Sequence, residues 1–226
     1  MTGRRRVRVA AIDDDTLIRD GLRVLVPGLD VVAACRDVAE FLAVRPRAEV
    51  VLLDLTLTGT GTGPVLQGPG AVAALAADGW RVLVYTNERR RAVLVACLNA
   101  GARGVVHKAE PLPALADAAA EVAAGRIVIT QALTGLAELA ERRGRLPGLS
   151  PREREVLAGR ARGESFRAIA RRLFITERTA CGYMDQVKDK FAAYLREHSA
   201  ADLERALGLE PVGLSDRDPR DPPGPT

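Results

Sequence analysis

Apolar residues fall along this chain in two different rhythms. Residues 7–12, 31–35, 50–55, 81–85 and 104–107 are short stretches rich in Val, Ile, Leu and Ala, most of them flanked by charged residues. Runs of this length, apolar on both faces, read as strands buried in a parallel sheet. Between them apolar residues recur at helical spacing: Leu17, Leu22 and Leu25 up to Pro27-Gly28, then residues 38–44 up to Pro46, the alanine-rich 71–77, residues 89–100 up to Gly101, and 112–124. Proline cannot continue a helix and glycine supplies its left-handed cap, so these stops set the helix ends. Strand and helix in strict alternation predict five βα units. Right-handed crossovers then favour a doubly wound, flavodoxin-like α/β sheet of five parallel strands in the order 2-1-3-4-5.

The rhythm changes after Gly125. Residues 130–143 read as a linker helix with Leu133, Leu136 and Leu139 on one side, broken by R-G-R-L-P-G. Next comes L-S-P-R-E-R-E-V-L, in which Ser150 is an N-cap, Pro151 takes the first helical position and Glu153 completes a capping box. Gly163 ends that helix, residues 166–173 form a second with Ala168, Ile169 and Leu173 inward, and Thr176 caps a third that runs through Tyr183, Val187 and Phe191. Residues 192–207 remain helical in pattern, extending the third helix or adding a fourth. Three short helices with tight turns predict an all-α helix-turn-helix domain. The expected organisation is residues 1–128, a linker at 129–148, the helical domain at 149–210, and a Pro/Asp/Arg tail at 211–226 with nothing to bury.

Composition narrows the class. With 226 residues, 47% hydrophobic and 27% charged, the chain holds two small domains, and no apolar run spans a bilayer. The basic start leads directly into a strand and then Asp13, Asp14 and Asp15, unlike a signal peptide, so a cytoplasmic protein is expected. Cys35, Cys97 and Cys181 lack metal-site spacing and read as small hydrophobes. A net charge of +4 permits nucleic-acid binding without demanding it.

The chemistry lies where the strands end. Asp13 and Asp14 follow the first strand, Asp54 the third, Thr86 the fourth and Lys108 the fifth. In an open α/β sheet these carboxyl ends line one crevice. Three carboxylates there repel one another unless a cation intervenes, and an all-oxygen site suits Mg²⁺. A lysine ammonium and a threonine hydroxyl across the crevice match the oxygens of a phosphoryl group carried by Asp54 as an aspartyl-phosphate. A Mg²⁺-dependent phosphatase of haloacid-dehalogenase type is disfavoured, because Leu55-Thr56 follows Asp54 where a second Asp is needed, and no enzyme is expected.

I-D-D-D-T-L-I-R-D-G-L, V-L-L-D-L, V-Y-T and V-V-H-K together resemble the receiver domain of two-component response regulators. L-S-P-R-E-R-E-V-L and A-I-A-R-R-L-F-I-T-E-R-T-A resemble the DNA-binding domain of LuxR-type regulators over about fifty residues. The resemblance implies Mg²⁺ held by Asp13, Asp14, Asp54 and the Thr56 carbonyl, phosphorylation of Asp54 by a histidine kinase, and sensing by Thr86 and Lys108. It also implies a homodimer whose third helix enters the major groove of promoter DNA. Arg167, Arg171, Arg172, Arg178 and Lys188 are the candidate phosphate and base contacts. Departures from the family pattern are Thr58 in place of proline, a Gly/Thr-rich insertion after it, Asn87 in place of a small residue and Val105 in place of an aromatic. Cys181, Gly182 and Asp185 stand where base-reading residues are usual. They keep a second reading open: a phosphate-independent receiver, or a protein-interaction module without sequence-specific DNA readout.

Overall fold

A computed structural model describes residues 5–57, 66–129, 131–142, 144, 148–198 and 202. Thr58, most of the Gly/Thr-rich stretch, the side chains of Leu133, Leu136 and Leu139, and the expected tail lie outside the described residues. The receiver half runs β1 (Val7–Ile12), α1 (Thr16–Leu25), β2 (Leu29–Cys35), α2 (Val38–Val44), β3 (Val50–Leu53), α3 (Gly68–Ala77), β4 (Val82–Thr86), α4 (Arg91–Asn99), β5 (Gly104–His107) and α5 (Leu112–Ala123). All strand pairs are parallel and the order begins β2-β1-β3-β4-β5, as the alternation predicts. One further strand, β6 (Val128–Ile129), pairs with β5 and extends the sheet to six. A two-residue strand has no periodicity to read, and the chain expected to enter a linker at 129 is still in the sheet there.

Strand alternation divides the core into two layers. Val7, Val9 and Ala11 of β1 face Leu22, Leu115 and Val122 on the α1/α5 side. Ala10 and Ile12 face the other side, with Phe41, Val72, Leu75 and Leu94. That second layer continues through Ala137 and Ala140 of α6 (Gln131–Arg142) into the helical domain. The two halves therefore share one apolar cluster. Burial also settles the chemistry of two cysteines: it pushes the Cys35 thiol up to about 11 and the Cys97 thiol up to about 12. Both remain neutral core residues.

The helical half comprises α7 (Pro151–Ala161), α8 (Phe166–Leu173) and α9 (Glu177–Glu197). Ser150 and Glu153 form the predicted capping box, and Ser165 and Thr176 cap α8 and α9. Val156, Leu157, Ile169, Leu173, Ala180, Met184, Val187 and Phe191 close the three-helix core. Gly159 is required by packing: a Cβ there would lie 2.9 Å from the Ile169 side chain and 2.8 Å from the Arg172 guanidinium. α9 continues unbroken to Glu197, so the third helix extends past Phe191; residues 199–201 and 203–207 lie outside the described residues.

Candidate functional site

The crevice is assembled by the loops after β1, β3 and β5. The Asp54 N–H donates to the Ile12 carbonyl at 2.9 Å, continuing the β1/β3 ladder one residue past the strand and bringing Asp54 beside the acidic pair. Asp13, Asp14 and Asp54 each offer a carboxylate oxygen within 4.8 Å of the others. The Lys108 ammonium bridges two of them, with Nζ 2.8 Å from Asp13 Oδ2 and 2.7 Å from Asp54 Oδ2. All three side chains are nearly buried: Lys108 is 10% exposed, Asp13 4% and Asp54 9%. Asp13 Oδ1 and Asp54 Oδ1 are occupied locally, accepting from the N–H groups of Asp15 and Leu55.

Burial and pairing compete in the titration of this cluster. Burial raises the Asp13 carboxyl above its ordinary value even with Lys108 opposing it. For Lys108 burial works to lower the ammonium, but the hydrogen bonds to Asp13 and Asp54 win and hold it above the ordinary lysine value. A positive charge is thus built into an otherwise anionic pocket.

An open cavity of about 420 Å³ is lined by Asp14, Asp15, Asp54, Thr56, Asn87 and Lys108. Thr86, expected on this crevice, is fully buried and is not among those lining residues. Its hydroxyl instead accepts the Glu88 N–H at 3.2 Å and shapes the β4–α4 turn. Val105 is buried beneath the same region. The site's carboxylate oxygens form a hard donor set that fits a small divalent cation.

Two supporting residues escape sequence reasoning. Arg19, one turn into α1, donates from Nη1 to the carbonyls of Asp13 and Asp14 at 2.7 and 2.8 Å and from Nη2 to Thr16. It clamps the acidic loop from behind. His107 Nε2 lies 3.1 Å from the Asn87 carbonyl, while His107 Nδ1 accepts the Ala109 N–H at 3.2 Å. This ties the β4–α4 loop to the loop that carries Lys108. Neither arginine nor histidine carries a local signal for these roles, because both depend on where loop carbonyls turn.

In the helical domain the predicted contact residues divide into two groups. Arg167, Arg171 and Arg178 are exposed. Arg172 is 3.0 Å from Glu164 and Lys188 is 3.0 Å from Asp185, so both cations already hold carboxylates. Cys181 is half-buried, Gly182 is exposed with open space beside it, and the Asp185 side chain is 67% exposed.

Comparison with known proteins agrees with this architecture. Residues 147–201 match the family described as bacterial regulatory proteins, luxR family. The response regulator RamR of Streptomyces coelicolor is 32% identical over 192 residues, covering 83% of this chain and 90% of RamR. The DNA-binding transcriptional activator DevR/DosR of Mycobacterium tuberculosis is 31% identical over 218 residues, covering 92% of this chain and 98% of that protein. The chain belongs to the LuxR-type response regulators. The two-domain layout of these response regulators recurs in RcsB of Salmonella typhimurium, which shares the fold at a TM-score of 0.52 and 22% identity, over 86% of this chain and 98% of RcsB. A further RcsB structure, of two dimers bound to two parallel DNAs, has a TM-score of 0.53 at 22% identity, covering 91% of this chain and 100% of that one. Among the described residues no helix is long and apolar enough to cross a membrane.

Proposed function

We propose that the protein is a two-component transcriptional regulator in which Asp54 accepts a phosphoryl group from a histidine kinase and the helical domain binds promoter DNA as a homodimer. The observation that carries this reading is Lys108 Nζ bridging Asp13 and Asp54 at the carboxyl edge of the sheet. An Asp54 oxygen attacks phosphorus, the phosphohistidine P–N bond breaks, and its electron pair returns to the imidazole nitrogen, which takes up a proton. Lys108 then exchanges its ion pair with the Asp54 carboxylate for one with a phosphoryl oxygen. Asp13, Asp14, Asp54 and the Thr56 carbonyl would hold Mg²⁺, which when bound offsets the negative charge gathered there. Thr86 gives up the Glu88 N–H to reach the phosphoryl group, which moves the β4–α4 turn.

That turn leads into α4, against which α9 packs. Asp185 on α9 also lies within electrostatic reach of Arg126, between α5 and β6. The face of α9 that would enter a major groove is therefore close to the receiver, and DNA binding requires the helical domain to part from it. Arg167, Arg171 and Arg178 supply cations to the duplex directly, whereas Arg172 and Lys188 must first leave Glu164 and Asp185. The domains assigned to these roles are a receiver over 1–128, a linker over 129–148 and a DNA-binding unit over 149–210.

The exposed Asp185 carboxylate and the two paired cations favour one competing reading, an interaction module without sequence-selective DNA binding. Gel-shift titration against genomic fragments, with and without a small phosphodonor, separates the two. A selective shift strengthened by phosphodonor in wild type but not in Asp54→Asn supports the regulator. No selective shift under either condition supports the interaction module.

A further inference from the structure

At the opposite end of the sheet from Asp54 is a second and larger cleft, of about 950 Å³. It is lined where β4 and β5 begin, by Trp80, Arg81 and Arg103, and by Asn99 at the end of α4, Ile127 before β6 and His198 just past α9. The receiver half supplies the lining except for His198, which the helical half contributes. We propose that this cleft binds a small organic anion with an apolar body, such as an aromatic sulfonate, carboxylate or phosphate.

Three observations point to that class. Among the described residues two arginines and a histidine line the cleft and no carboxylate does. Arg103 is exposed and makes no ion pair among the described residues, and the Arg81 guanidinium is anchored at 3.0 Å on the Ala123 carbonyl. A concave surface whose charged lining groups are arginines focuses anions. The walls between these cations are apolar, built from alanines of α3 and α4, Ile127 and the Trp80 indole, whose N–H is already committed to Asp78 at 2.9 Å. The Asn99 side-chain nitrogen is buried without a hydrogen-bond partner among the described residues. Mixed apolar walls with a few convergent polar groups are the usual character of small-molecule sites.

The cleft shares no lining residue with the phosphoryl pocket. An occupant would touch the receiver and His198 together, and so bind the docked arrangement of the two halves in preference to a separated one.

Fluorescence titration of the full chain with 8-anilinonaphthalene-1-sulfonate tests the proposal, alongside its uncharged analogue N-phenyl-1-naphthylamine. Wild type is expected to bind the sulfonate saturably at one site, at least tenfold more tightly than the neutral analogue. Arg103→Glu, an exposed position whose change leaves the fold intact, is expected to weaken the sulfonate at least tenfold, and Ala96→Phe, which fills the cleft from α4, to weaken both probes. Circular dichroism melts verify that each variant is folded, and Asp54→Asn is expected to bind as wild type does. Absence of saturable binding, or sulfonate affinity in Arg103→Glu within twofold of wild type, overturns the proposal.

Discussion

Replacing Lys108 with alanine removes the only cation bridging Asp13 and Asp54 among the described residues. At N···O separations of 2.8 and 2.7 Å and an effective dielectric of about 20, each contact attracts by roughly 6 kcal/mol before desolvation is subtracted. Burying the ammonium costs several kcal/mol, and losing one member of a buried ionic cluster typically costs about 3–5 kcal/mol net. Protonation sets a ceiling on that loss. Neutralising a carboxyl of ordinary acidity at pH 7 costs about 4 kcal/mol, so the variant takes up a proton before it loses more than that. At pH 5 the same ceiling falls to about 1.5 kcal/mol. In the variant the carboxyl pKa lies above its unfolded value, so its contribution is recovered as pH falls. Urea unfolding in EDTA should therefore show a deficit against wild type of about 3–4 kcal/mol at pH 7 that shrinks to about 1.5 kcal/mol at pH 5. Saturating Mg²⁺ should return about 2–3 kcal/mol to the variant at pH 7, because a bound cation replaces the lost ammonium. A deficit below about 0.5 kcal/mol, or one that grows on acidification, would contradict the bridging role of Lys108.

Three further outcomes follow from particular contacts. Gly159→Ala should lower stability by about 1–2 kcal/mol despite the better helix former, because the added methyl overlaps Ile169; a raised melting temperature would contradict this. Gly182→Ala meets open space on an exposed turn of α9 and should stabilise by about 1 kcal/mol, read by urea midpoint, while a drop in DNA affinity in the same variant would mark close backbone approach to the duplex. Burial works to raise the Glu153 carboxyl, but the Lys190 ammonium and the Ser150 N–H and hydroxyl hold it below the ordinary value. Its stabilisation is therefore complete above about pH 4.3 and lost as pH falls through the lowered value, so the urea-unfolding midpoint of Glu153→Gln should fall less steeply on acidification below about pH 4.3 than that of wild type.

Much of this protein can be read from its sequence because local and global signals agree. Buried strands followed by helix stops at Pro27, Pro46 and Gly101 specify the βα order, and Ser150-Pro151 with Glu153 marks the start of α7 to the residue. The convergence of Asp13, Asp14, Asp54 and Lys108 was legible for the same reason: each directly follows a strand, and parallel topology brings strand ends together. What escaped depends on contacts without sequence proximity. β6 has only two residues and exists because Gly104 and Val105 offer it a partner. Thr86 follows the same strand-end logic, yet its side chain is drawn to the Glu88 N–H, a loop detail that periodicity does not encode. Arg19 and the Arg172–Glu164 pair are fixed by backbone turns and helix crossing.

The most direct test of the account is the intact mass of the full chain after incubation with Mg²⁺ and a small phosphodonor such as acetyl phosphate, for wild type and Asp54→Asn. Wild type is expected to gain one phosphoryl-sized increment, lost in Asp54→Asn and lost when EDTA replaces Mg²⁺. An unmodified wild type, or an increment that persists in Asp54→Asn, would contradict Asp54 as the phosphoacceptor.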